Sequence, residues 1–256
     1  MLNFRTLIDF SFISINFYGI LFAASGLAMF FFLKNFMLKH KREPELAISA
    51  TIYLLLGAFI GARIFYVLFY NLDYFINAPL EIFYFWQGGM SFHGGLFGIF
   101  LVGYLFCKKN NLSALEIADT LTIPAVMVLF LGKLANFFNN ELYGTITSLP
   151  WCVNFEGVRG CRHPVQLYEA MKNLVLFLFL IILKKRNPKK GVIFFSFIFF
   201  YTLGRFLIDF FREYSILYFG LGIGQYLNLA FFLIAGYFIW KIIWTSESNE
   251  LPNKNF

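Results

Sequence analysis

The sequence predicts an all-α polytopic membrane protein of about seven transmembrane helices, N-terminus outside and C-terminus cytoplasmic. Two observations carry that prediction. Of 256 residues, 59% are hydrophobic and only 14% charged, whereas a typical soluble domain carries about 25% charged residues. The basic residues also collect in alternate short loops between apolar runs, which is the pattern of cytoplasmic loops. The net charge of +7 is thereby explained by the membrane, and no nucleic-acid partner is expected. The whole chain, 1–256, reads as one integral membrane domain.

A span needs roughly 20 apolar residues. The runs that approach this cover 13–33, 46–70, 94–106, 115–131, 166–183, 191–211 and 225–244, the third and fourth being short. Lys34, Lys39, Lys41 and Arg42 follow the first run, and Lys108 and Lys109 the third. Lys184, Lys185, Arg186, Lys189 and Lys190 follow the fifth, and Lys241 and Lys254 lie at and beyond the end of the seventh. With seven spans all these loops share one side, the cytoplasm. The first run has only Arg5 before it and four bases after it, opposite to a signal peptide, so no cleavage is expected. No internal repeat is apparent, which weighs against a transporter built from paired half-bundles.

Residues 71–93 are too polar to span. Asn71, Asp73, Asn77 and Glu81 alternate with Tyr74, Phe83, Tyr84 and Trp86, the mixture of an external arm lying on the bilayer. The arm runs into Gly88-Gly89-Met90-Ser91-Phe92-His93-Gly94-Gly95, read as a re-entrant approach to the third span. His93 there is either a hydrogen-bonded structural residue or a group acting on substrate. A second external region, 133–165, begins at Gly132-Lys133-Leu134-Ala135-Asn136-Phe137-Phe138-Asn139-Asn140-Glu141-Leu142-Tyr143-Gly144. Polar groups at the end of a span are costly unless they meet a partner, ligand or water. This stretch is therefore either a wet interfacial turn or a lipid site. Cys152 and Cys161 lie farther along the same loop, where a disulfide is permitted; with His163 they make an incomplete metal set, and no metal is expected.

In the sixth span Tyr201, Arg205 and Asp209 recur every four residues, with Arg212 near the same face. An internal Arg–Asp pair is the plain reading. A guanidinium fork at that depth is also suited to bidentate recognition of a phosphate. Arg63 and Asp119 are further intramembrane charges expected to find partners within the bundle.

Taken together, several runs resemble the phosphatidylglycerol–prolipoprotein diacylglyceryl transferase family. They are Gly61-Ala62-Arg63 with Tyr66-Val67-Leu68-Phe69-Tyr70-Asn71, Trp86 through Gly95, Arg162-His163-Pro164-Val165-Gln166-Leu167-Tyr168-Glu169-Ala170, and Tyr201 to Arg212. The likeness extends from Tyr18-Gly19 to Gly224-Gln225. It implies a multi-pass enzyme of the bacterial cytoplasmic (inner) membrane, needing no cofactor. Such an enzyme moves the diacylglyceryl group of phosphatidylglycerol to the lipobox cysteine thiol of prolipoproteins, forms a thioether and releases glycerol phosphate. By the same resemblance His93, Lys133, Arg205 and Tyr201 are catalytic, and Lys133, Asn136, Arg205 and Tyr18 hold the lipid. Arg63, Asp119, Glu141, Gly144, Asp209 and Arg212 support the site, Asp209 standing where the family carries Glu. The enzyme needs no catalytic cysteine of its own, so Cys152 and Cys161 are expected to pair as a loop staple. One departure stands out: the family's Gly-Arg-x-Gly-Asn-Phe is here Gly132-Lys133-Leu134-Ala135-Asn136-Phe137. Lys keeps the charge and loses the planar fork. Two other readings are a diverged paralogue with another lipid-transfer or lipid-binding role, and a transporter.

Overall fold

The computed structural model describes residues 8–10, 13–15, 17–214 and 217–250. A short antiparallel hairpin, β1 (Ile8–Phe10) and β2 (Ile13–Ile15), is followed by α1 (Phe17–Lys39), α2 (Glu45–Tyr70) and α3 (Leu72–Asn77). Then come α4 (Phe92–Lys109), α5 (Ala114–Phe138), α6 (Val165–Lys185), α7 (Val192–Ile208) and α8 (Ile223–Glu250). Apart from that hairpin its regular elements among the described residues are helical, and the chain is a polytopic α-helical membrane protein. Among the described residues six helices are long and apolar enough to cross a bilayer: α1, α2, α5, α6, α7 with the turn after it to Phe211, and α8. The expected third span, α4, has 18 residues. Its polar ends, His93 with Gly94-Gly95 in the first turn and Lys108-Lys109 in the last, lower its mean hydropathy, whereas the span of α7 gains length by running on to Phe211.

Two further boundaries differ from the hydropathy reading. Residues 13–15 belong to β2, and α1 instead continues to Lys39 because Leu33, Phe36 and Met37 are buried. The fourth run does not stop at 131: α5 carries Gly132 through Phe138 as its last two turns. Hydropathy falls there because Lys133 and Asn136 are polar. The helix persists because both find partners, as described below.

The chain divides into two compact units, Gly26–Thr120 and the residues up to Ser25 with Leu121 onward. In the first, α2 and α4 pack through small residues. A Cβ on Gly57 would lie 2.9 Å from the Gly98 carbonyl oxygen, so this approach of two backbones is open only to glycine, the usual device where helices pack without a hydrophobic drive. At one end of this unit Arg42 donates to the Asn111 carbonyl at 3.1 Å, and His40 lies 3.7 Å from Glu116. Two of the basic loops are thus held together. The arm leaves from the C-terminal end of α2 as α3 followed by 3-10 turns at Pro79–Phe83 and Phe85–Gln87.

Arg63 pins that arm. Its Nε donates to the Ile82 carbonyl at 2.8 Å, Nη2 to Glu81 at 2.7 Å, and Nη1 to Gly88 at 2.7 Å and Gly89 at 3.0 Å. The partners expected within the bundle are instead four carbonyls of the arm. A buried guanidinium satisfied by backbone oxygens fixes the path of a segment that has little regular structure of its own.

Candidate functional site

In the second unit, α6 starts at Val165 after a proline and buries one polar face. Gln166, Glu169 and Asn173 are each at most 1% exposed, at the spacing that stacks side chains on one side of a helix. Glu169 is the hub. Its Oε2 lies 2.8 Å from Lys133 Nζ of α5, and its Oε1 lies 3.1 Å from Arg212 Nη1 and also pairs with Arg205 Nη1 of α7. Arg205 Nε in turn meets Asp209 Oδ1 at 3.0 Å, the i,i+4 pair expected from the sequence. Asp209 is 2% exposed and also accepts from Asn228 of α8 at 3.3 Å. Burial and the neighbouring Asp209 carboxylate push the Tyr214 phenol up to about 12, so it remains a donor to Asp209. Lys172 Nζ lies 3.7 Å from the centre of the Tyr201 ring.

Lys133, Lys172, Arg205 and Arg212 thus face two carboxylates, Glu169 and Asp209. The cluster carries a surplus of positive charge within an apolar bundle, where Coulomb interactions are strong. Such an arrangement is suited to an anion whose charge grows during reaction.

The turn after α5 leads away from this cluster. Asn140 and Leu142 both have φ 57°, reversing the chain around Glu141. Asn136 Nδ2 donates to Glu141 Oε2 at 3.2 Å, and Gln166 Nε2 to the Glu141 carbonyl at 2.6 Å. Gly144 donates to the His163 carbonyl at 2.9 Å and accepts from Arg162 Nη1 at 3.1 Å. A Cβ there would sit 2.9 Å from His163 Cβ, so close packing requires glycine. Arg162 also meets Glu213 at 2.7 Å and lies over the Tyr143 ring. Tyr168 accepts from Trp151 Nε1 at 2.8 Å and stands 3.1 Å from His163 Nδ1. These contacts tie loop 144–164 to the start of α6 and the end of α7.

Cys152 and Cys161 form a disulfide within that loop, with a Cα–Cα distance of 5.5 Å. Entropy of closing so short a loop gives about 2–3 kcal/mol at most. Backbone bonds of 3.0 Å in each direction between Val153 and Arg162 hold the same register. Replacing both cysteines by serine is therefore expected to lower the thermal midpoint while turnover stays within about threefold. Complete loss of activity in a folded double variant would show that the bridge does more than staple.

Of the residues singled out in the sequence, Lys133, Tyr201, Arg205, Asp209 and Arg212 converge, with Asn136 in the last turn of α5 and Glu141 and Gly144 in the segment that follows. Arg63 and His93 belong to the other unit. His93 is exposed in the first turn of α4, beside Phe92, after Ser91 whose hydroxyl caps the helix by accepting from Gly94 N at 3.3 Å. Asp119 is buried on α5. Tyr18 lies in the first turn of α1, and its side chain is outside the described residues. Sequence reasoning gave no role to Glu169, the centre of the cluster, and counted Lys172 only among the basic residues on the external side. The signal was present in the 166, 169, 173 spacing of polar residues on an otherwise apolar helix.

A family model described as prolipoprotein diacylglyceryl transferase matches residues 5–241. A Geobacter sulfurreducens protein named phosphatidylglycerol–prolipoprotein diacylglyceryl transferase is 44% identical over 187 residues, covering 71% of this chain and 72% of its own. Proteins of the same name from Zymomonas mobilis and Bordetella avium are 40% identical over 218 residues and 36% over 232. These two alignments cover 82% and 86% of this chain, and 75% and 88% of the relatives.

Proposed function

The chain belongs to the prolipoprotein diacylglyceryl transferase family, and on that premise we propose that the cation cluster around Glu169 is where its reaction is run. It is a multi-pass inner-membrane transferase that moves the diacylglyceryl group of phosphatidylglycerol to a prolipoprotein cysteine. In that step a C–S bond forms at the glyceryl carbon and the C–O bond to phosphate breaks. The electron pair stays on the phosphate oxygen, and the thiol proton goes to a base. The phosphodiester carries one negative charge and the departing monoester approaches two. Cations fixed beside it therefore stabilise the transition state more than the ground state.

The observation that supports this reading is the surplus of buried positive charge held in place by one carboxylate. Glu169 occupies part of the donor capacity of Lys133, Arg205 and Arg212. An ammonium has three N–H groups and a guanidinium five, so the same side chains have donors for phosphate. Lys133 and Arg205 hold the phosphate, with Asn136 on the lipid headgroup and Tyr201 lining the site; for Tyr18 a part in holding the lipid is proposed from the family resemblance alone. Asp209, Arg212, Glu141 and Gly144 keep them in position, while Arg63 fixes the arm and Asp119 lies buried in support. From the family resemblance we also propose His93 as the base for the lipobox thiol.

The departures Lys133 and Ala135 fit an adapted site. Lys133 reaches the same carboxylate as Arg205, and Ala135 is 2% exposed within α5, where helical φ suits alanine. Purified protein in phosphatidylglycerol vesicles is expected to convert a lipobox peptide to its thioether, and in phosphatidylethanolamine vesicles to leave it unmodified. Equal transfer from both lipids would remove the headgroup reading.

We further propose the orientation given by the basic loops, with 34–45, 107–113 and 184–190 cytoplasmic and 71–90 and 145–165 external. A cysteine at Asn187 should resist an impermeant thiol reagent added to whole cells, and react once the inner face is opened. Labelling of Asn187→Cys from outside would reverse the topology.

A further inference from the structure

The Glu169 cluster contains a further cation, Lys172, beyond the Lys133 and Arg205 assigned to the phosphate. Lys172 lies one turn along α6 from Glu169, and its Nζ is buried without a hydrogen-bond acceptor among the described residues. It rests on the face of Tyr201, 3.7 Å from the ring centre. Its stem crosses Gly204 on α7: a Cβ there would sit 2.6 Å from Lys172 Cδ and 2.9 Å from Cγ. The glycine thus leaves the groove through which the ammonium reaches the cluster.

A buried ammonium offers three donors and is costly to leave unpaired. An aromatic face supplies part of the compensation and accepts none of its hydrogen bonds in the ordinary geometry. The carboxylates are already engaged by Lys133, Arg205 and Arg212. An apolar side chain would serve the fold at least as well. The position therefore favours a ligand that supplies oxygen acceptors and negative charge.

We infer that Lys172 is a further phosphate-binding residue of this site, its ammonium set between the Tyr201 ring and the phosphodiester of the lipid donor. The inference rests on the proposed location of the reaction and adds a contact specific to the phosphate group. Glycerol phosphate, the product, carries the same group and takes the same contact.

Lys172→Met keeps an unbranched stem one atom shorter and removes the charge. In the transfer assay it should raise both the KM for phosphatidylglycerol and the inhibition constant of glycerol 1-phosphate by roughly ten- to a hundredfold, the range of a hydrogen bond to a charged group. The thermal midpoint without ligand should be unchanged or higher, because a buried charge without a hydrogen-bond acceptor has been removed; a merely structural lysine would lower it. Gly204→Ala, which leaves Lys172 in the chain but pushes its stem aside, should move both constants in the same direction. In a Lys172→Ala background the added methyl should have little further effect. Constants within twofold of wild type in any folded variant of this set overturn the inference.

If wild type makes no thioether, the family reaction at this site fails separately. Thermal shifts with glycerol 1-phosphate, inorganic phosphate and phosphatidylglycerol vesicles then still test Lys172. A shift lost in Lys172→Met with the lipid and with glycerol 1-phosphate supports the inference. Loss confined to inorganic phosphate overturns it, because the site would then bind a free anion and not the lipid.

Discussion

Lys133→Ala is expected to lower turnover by roughly a hundredfold or more, on the order of 2–4 kcal/mol of transition-state stabilisation. The side chain is mostly buried, and its Nζ lies 2.8 Å from Glu169 Oε2, on the same carboxylate that Arg205 grips. Removing it leaves Glu169 with two guanidinium partners, so the fold should survive and the loss should fall on the reaction. Steady-state thioether formation at saturating lipid, with the thermal midpoint as control, measures this. A variant within threefold of wild type would place the charge of Lys133 outside the chemistry. Lys133→Arg separates adaptation from decay. In a site shaped around lysine, the longer planar head fits poorly and activity stays level or falls.

Glu169→Gln has the opposite balance. The carboxylate is 1% exposed and meets three cations, and its loss leaves Lys133, Lys172, Arg205 and Arg212 with Asp209 as the remaining carboxylate in the cluster. Breaking a buried ionic centre by removing one member costs about 3–5 kcal/mol, because the stranded charges stay buried. Glu169→Gln should therefore lower the thermal midpoint sharply and abolish transfer. Glu169→Asp, one methylene shorter with the charge kept, should fall between. Unfolding of detergent-solubilised variants checks both, and a Glu169→Gln protein as stable as wild type would contradict the hub role. One cation of the set is removable because the hub retains others; the hub itself has no substitute.

The helices were legible wherever apolar length and basic loops decide the matter, as in α2, α6, α7 and α8. Where a polar residue finds a distant partner, hydropathy misleads. Lys133 and Asn136 look like the end of a span, yet α5 runs to Phe138 because Lys133 meets Glu169 and Asn136 meets Glu141. The Arg205–Asp209 pair could be read from its spacing, since both ends lie on one helix. The Glu169–Arg205 and Glu169–Arg212 pairs join residues 36 and 43 apart in sequence, and no local period reveals them. Arg63 was recognisable as a buried charge needing partners. Backbone carbonyls of an irregular arm have no sequence signature, so those partners were not.

On the proposed reading this chain performs the family reaction from the Glu169 cluster, with Lys133 and Ala135 in place of the Arg and Gly that the resemblance implies. Mass spectrometry of a lipobox peptide incubated with purified wild type in phosphatidylglycerol vesicles tests it most directly. Wild-type protein is expected to yield a peptide heavier by one diacylglyceryl group, linked through the cysteine sulfur. An unmodified peptide with wild type, together with thioether formed by the Lys133→Arg, Ala135→Gly double variant, would contradict it.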